Sequence, residues 1–269
     1  MTASPTNFIR VIKFYMALKM GFKCVDLAKT IGFIILVCTL CVQAKLQAKD
    51  IKMYFYQQTP PFEIEEGKGF FYDLVAYIDL KDEKNQYSLH FMPRELINRY
   101  IDKKRFKGIV IGANPAWFDD LDKEKYLWST SLIEDANEII SDLNNPFEYQ
   151  GPESLIGLTL GGLRGHYYVG LDPLIAEGLV YRDDVSRVTQ NMRKATSGRV
   201  NAAIINRSFL QYYLRTNTQN FHISSQPHKV HQKQILFSQA YKSNYLIVNE
   251  ILINAKNNGD LNRLITPYR

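Results

Sequence analysis

Ile51-Lys52-Met53-Tyr54-Phe55-Tyr56-Gln57-Gln58-Thr59-Pro60-Pro61-Phe62 opens the stretch on which the fold turns. Ile51 to Tyr56, rich in β-branched and aromatic residues, predicts a strand. Pro60-Pro61 forces an extended turn, because each ring fixes φ and removes a donor. Phe71 to Leu80 then carries apolar residues at helical spacing. Outward from there, Tyr87 to Met92 reads as a second strand, Glu95 to Lys103 as a helix, and Gly108 to Gly112 as a short apolar strand of the kind buried on both faces. The order βαβαβ is the grammar of an open, mostly parallel sheet.

A second unit of the same kind begins at Thr159 to Gly162, followed by a glycine-rich turn and a helix expected from about His166. Val180 to Arg182 predicts a strand, Val188 to Ser197 a helix, Val200 to Ile205 a strand and Ser208 to Leu214 a helix. Leu127 to Asp142 and Gln234 to Ser238 are extended in character and predict two crossovers. The tail, Ser243 to Ile265, is helical, with Leu246, Val248, Ile251, Leu252 and Ala255 on one face and a break at Asn258-Gly259; it is expected to return to the first unit. The fold class expected is therefore α/β with two lobes, each a mostly parallel sheet flanked by helices, joined by two crossover strands. Lobe 1 is expected over residues 49–133 with 235–269, and lobe 2 over residues 134–234.

A chain of 269 residues is long enough for two such cores, and 46% hydrophobic with 22% charged residues excludes disorder. At the N-terminus, Lys19, Lys23 and Lys29 precede an apolar run from Ile31 to Val42, and small residues follow at Ala44 and Ala48. This layout predicts a signal peptide over residues 1–44 and a periplasmic mature protein. The apolar run is shorter than the ~20 residues that span a bilayer as a helix. Cys24, Cys38 and Cys41 all fall inside the expected signal peptide, so a mature chain offers no thiol for a disulfide, a nucleophile or a metal. The formal charge of +6 drops to +2 once residues 1–44 are removed. That excess is too small for phosphate-driven binding and excludes nucleic acid as a partner.

Several segments, in order, resemble the family 3 extracellular solute-binding proteins. They are Thr59-Pro60-Pro61-Phe62-Glu63, Gly67-Lys68-Gly69 with Phe71-Tyr72-Asp73-Leu74, Leu155 to Gly161 with Arg164-Gly165, Gly198 to Ile204, and Asn258-Gly259-Asp260-Leu261 with Ile265 and Tyr268. The resemblance implies a two-lobed binding protein that delivers a small-molecule ligand to the membrane permease of an ABC importer. It also exposes departures. Where the family's amino-acid binders carry a Thr-x-x-Arg turn for the ligand carboxylate, this chain has Asn114-Pro115-Ala116-Trp117, and the acidic residue that receives the ligand ammonium is replaced by Asn206. Tryptophan cannot imitate a guanidinium fork, so standard α-amino acids are expected to bind poorly.

Ligands of open α/β sheets sit beyond the carboxyl ends of strands. By that rule the candidate ligand residues are Gln57, Pro60 and Phe62 after the first strand, Asn114 and Trp117 after the third, and Arg164, Gly165, His166, Tyr167 and Asn206 in the second unit. Phe62 is expected to stack on the ligand. Arg164, beside a helix start, is expected to receive an anionic group. His228 and His231 are expected to face solvent rather than hold a metal, and Asp119-Asp120 and Glu65-Glu66 to be solvated. No catalytic residue, metal or cofactor is expected. A monomeric solute-binding protein is the expected function, with a ligand-sensing module for a separate membrane partner, or a dehydratase-like enzyme on the same fold, as alternatives.

Overall fold

The computed structural model describes residues 49–269, and the expected signal peptide lies outside them. Strands and helices alternate through the first part of the chain: β1 (Lys49–Phe55), α1 (Phe70–Lys81), β2 (Asn85–Phe91), α2 (Arg94–Asp102) and β3 (Ile109–Ala113). The short β4 (Leu127–Trp128) and the long β5 (Ile133–Asp142) follow. The second unit runs β6 (Thr159–Leu163), α3 (Asp172–Ala176), β7 (Tyr181–Val185), α4 (Val188–Thr196), β8 (Ala202–Asn206), α5 (Arg207–Leu214) and β9 (Phe221–Ile223). A second long strand, β10 (Lys229–Phe237), leads to α6 (Lys242–Asn257) and α7 (Asp260–Ile265).

The strands hydrogen-bond in the order β2-β1-β3-β10-β5-β8-β6-β7, with β4 on β10 and β9 on β5. β1–β3, β6–β7 and β6–β8 are parallel, as the βαβαβ pattern predicts. The antiparallel pairs gather on β5 and β10, the strands that carry the chain between lobes. Lys229 to Lys233 of β10 pair with β5, whereas Gln234 to Phe237 pair with β3, and the register shifts between Gln234 and Ile235.

Burial on both faces explains the near-continuous apolar strands. On β3, Ile109 and Ile111 enter a core with Phe55, Phe70, Leu74 and Ile78, while Val110 points to the opposite face with Ile97, Phe118 and Trp128. In the second lobe Ile140, Ala203 and Ile205 pack under α4 and α5, while Ile139, Ala202 and Ile204 face Leu155, Leu160 and Leu171. The tail returns to the first core through Val248, Leu252, Ala255, Leu261 and Ile265. Leu246 departs from the face read in the sequence and is exposed.

The helix expected from His166 does not form there. Gly165 and Gly170 both have positive φ, and the first helical residue is Asp172, followed by Pro173, whose ring suits a helix start. Arg182 of β7 reaches back to hold the intervening loop: its Nη2 donates to the carbonyls of Leu163 at 2.9 Å and His166 at 2.8 Å. A helix would need that carbonyl of His166 for its own ladder. Among the described residues, no helix is long and apolar enough to cross a membrane.

Candidate ligand-binding site

The two lobes touch where the carboxyl ends of their parallel strands meet. A Cβ on Gly165, in the second lobe, would lie 3.0 Å from Glu95 Cγ at the start of α2, so only glycine with its φ of 75° allows this approach. Tyr56 meets the His166 ring edge-on at 5.9 Å, and Trp117 meets His231 at 4.7 Å. On either side of this wall lies a cavity, one of about 1020 Å³ and one of about 470 Å³.

The sequence candidates divide between the two. Gln57, Pro60, Arg164, His166 and Asn206 line the smaller cavity, and Asn114, Trp117 and Tyr167 line the larger. Gly165 packs against Glu95 and lines neither. Phe62 corrects the expectation of a ligand-stacking ring: it is 1% exposed, stacked on Phe71 at 4.8 Å within the first core. Asn114 caps the turn that holds Trp117, accepting from Ala116 N–H at 3.0 Å and donating to the Gln232 carbonyl at 2.8 Å. Asn206 donates to Asn137 Oδ1 at 3.2 Å.

Arg164 is exposed at the rim of the smaller cavity. The expected helix start beside it is absent, and the Arg164 and His166 N–H groups donate to the Val185 and Leu163 carbonyls instead of facing a ligand.

At the centre stand residues that the sequence reading passed over. Lys233, at the point where β10 changes partners, is completely buried. Its ammonium donates to Gln57 Oε1 at 3.1 Å, lies 3.5 Å from Asp135 Oδ2 on β5, and sits 4.8 Å from the Phe62 ring and 5.1 Å from the Trp117 ring. Burial lowers the Lys233 pKa, and Asp135 opposes the shift. Asp135 Oδ1 is satisfied by the N–H groups of Ala136 and Ser208, whereas Oδ2 has no hydrogen bond.

Arg94, at the first position of α2, is 7% exposed and lines both cavities. Its Nε donates to Asn98 Oδ1 at 2.7 Å and its Nη2 to the Trp117 carbonyl, with the guanidinium over the rings of Phe118 and Tyr56. His166 and His231 are both held at a pKa of about 3. Burial is the main cause in each; Arg94, Lys233 and Arg182 add to it at His166, and Lys233 at His231. Both rings are therefore neutral at pH 7. His228 and His231 are buried, not solvent-facing: His228 Nε2 lies 2.9 Å from the Val169 carbonyl, and both nitrogens of His231 lack a hydrogen-bond partner among the described residues. Asp120 is likewise buried, taking hydrogen bonds from Trp128 Nε1 at 2.7 Å and the Lys125 N–H at 2.8 Å.

The chemistry available is that of recognition. Two buried cations, one carboxylate, a neutral imidazole and the Tyr56 hydroxyl converge, and the last three retain polar atoms without partners. No group of three potential metal ligands occurs among the described residues.

No family model matches this chain, and no curated protein matches it. Solved structures do match. A mutant ArgBP from T. maritima aligns with a TM-score of 0.67 at 18% identity, covering 85% of this chain and 98% of that one. The substrate binding protein of an amino acid ABC transporter aligns at 0.62 and 19% identity, covering 81% and 98%. The GluR0 ligand-binding core from Nostoc punctiforme, in complex with L-glutamate, aligns at 0.65 and 14% identity, again covering 81% and 98%. Near-complete coverage of each of these chains, together with the strand order above, gives this protein the two-lobed periplasmic binding protein fold.

Proposed function

We propose that this chain is a periplasmic solute-binding protein, working as a monomer, whose lobes, residues 49–133 with 235–269 and residues 134–234, close on a small solute and present it to the permease of an ABC importer. One observation carries the reading: where the strand ends meet, buried polar atoms lack a hydrogen bond among the described residues, namely Tyr56 Oη, both nitrogens of His231, and Asp135 Oδ2, which has only the Lys233 ammonium at 3.5 Å. An unsatisfied buried polar atom costs about 1–3 kcal/mol, so a cluster of them is retained where something else completes it. The solute-binding names of the similar structures support the same class of activity. Binding would shift the population between open and closed lobes, and no bond need be made or broken.

The solute proposed has an apolar or aromatic body and an anionic end. Lys233 already supplies a cation to the aromatic faces of Phe62 and Trp117, so a cationic ligand would meet repulsion there. A thermal-shift screen of residues 49–269 against small carboxylates, amino acids, amines and neutral solutes tests the reading. A solute at 100 times its dissociation constant adds about 2.7 kcal/mol and raises Tm. A screen in which no class raises Tm would contradict it.

A further inference from the structure

Arg94 is a buried cation at this junction whose charge is not matched among the described residues. Lys233 has Asp135 beside it, and Arg182 has Asp172 and Asp184. Among the described residues no carboxylate forms an ion pair with Arg94, although it is 7% exposed. A guanidinium has five N–H donors. Among the described residues two are engaged, by Asn98 and by the Trp117 carbonyl, and Nη1 donates to none of them. A buried cation left without a counter-charge is costly, and a carboxylate on the remaining fork is the partner that its planar geometry fits.

Two further observations point the same way. The smaller cavity is lined by three arginines, Arg94, Arg164 and Arg187, against one acidic residue, Glu95. The larger one also touches Arg94 but is dominated by Asp and Glu, which repel an anion. In addition, Arg94 Nη2 is bonded to the backbone of Trp117, the residue standing where the resemblance would have placed a carboxylate-binding arginine. α2 thus brings a guanidinium to the place that the turn after β3 leaves without one.

We propose that Arg94, not Arg164, receives a carboxylate of the solute, on the side of the smaller cavity. The inference rests on the reading that the cleft binds a solute. Arg164 stays at the rim, where it steers anions inward with Arg187.

The test compares the strongest carboxylate found in the screen with its own primary amide, by calorimetry on wild type, Arg94→Lys and Arg94→Gln. The carboxylate should bind wild type at least about tenfold more tightly than the amide, and Arg94→Gln should lose about tenfold to a hundredfold in carboxylate affinity with little change for the amide. Arg94→Lys keeps the charge and loses the fork, and should fall between. A purely structural role for Arg94 would weaken acid and amide alike, and that result overturns the assignment. So does a neutral or cationic solute that outbinds every carboxylate and is indifferent to Arg94→Gln; in that case the cleft still binds and only the clamp is wrong. Absence of binding by every class overturns the solute-binding reading itself. Should Arg94→Gln fail to fold, equal affinity of Arg94→Lys and wild type for the carboxylate still counts against the fork.

Discussion

Two clusters of cations and carboxylates, one half-buried around Arg182 and one buried around Lys233 and Arg94, are built differently. Around Arg182, four of the five guanidinium N–H groups have partners. Nε bonds Asp184 at 2.7 Å, Nη1 bonds Asp172 at 2.9 Å, Nη2 takes two carbonyls, and the plane covers the Tyr168 ring at 4.8 Å. Gly162 makes room for it, since a Cβ there would lie 2.5 Å from Asp184 Oδ1 and 3.0 Å from Arg182 Nε. Around Lys233 and Arg94, donors and acceptors are left over. A satisfied network fixes one conformation and is framework; an unsatisfied one at a cleft waits for a partner. The same residue types therefore hold a loop in one place and form a binding site in the other.

The largest expected effect breaks the framework cluster. Arg182→Ala strands two carboxylates and frees the loop from Leu163 to Leu171, and should cost about 3–5 kcal/mol in urea unfolding. A loss under about 1 kcal/mol would show that the network is dispensable and remove the contrast with the cleft.

Acid should strike the cleft next. The folded pKa of His166 and His231 is about 3, below the ordinary 6.5, so each ring stays neutral in the folded chain while the unfolded chain takes up protons. Stability is full above pH 6.5 and is lost as pH falls toward 3, with a slope approaching about 1.4 kcal/mol per pH unit for each histidine. Burial also holds His228 down, which adds in the same direction. Unfolding measured between pH 6.5 and 5 should therefore steepen in wild type and flatten in the His166→Gln, His231→Gln double variant. Equal slopes in the two proteins would place these imidazoles in contact with solvent.

Smaller still is the effect of removing the unmatched cation. Arg94→Met takes away a buried charge along with two hydrogen bonds, so its stability change should lie within about 1 kcal/mol of zero, in contrast to Arg182. A loss as large as that of Arg182→Ala would show Arg94 to be framework as well. Arg164→Ala, at an exposed rim position, should change stability by less than about 0.5 kcal/mol, and its denaturation midpoint checks this.

The contrast also marks where sequence reading stopped. Alternating strand and helix patterns gave β1 to β3, α1, α2 and the closing helices within a residue or two, because helices with one buried face write a 3.6-residue period and strands buried on both faces write short apolar runs. The helix expected at His166 failed because Arg182, distant in sequence, captures its carbonyl. Gln57 and Trp117 were accessible through the rule of strand ends. Lys233 and Asp135 were not, since both lie inside extended runs. A usable signal existed for them. A lone lysine beside the apolar Ile235-Leu236-Phe237, and an aspartate between Ile133 and Ile139-Ile140, are charges in strands otherwise built for burial. Phe62 erred the other way, an aromatic at a strand end that the core claimed.

Trp117 offers the most direct view of whether the unsatisfied cluster is the place where a solute binds, because its ring lies against Lys233 and His231. Titration of the strongest solute from the screen, followed by tryptophan emission in wild type and in Trp117→Phe, is the decisive measurement. A saturable change is expected in wild type, with the midpoint found by calorimetry, that disappears in Trp117→Phe. Calorimetric binding that leaves Trp117 emission unchanged would place the solute elsewhere and contradict it.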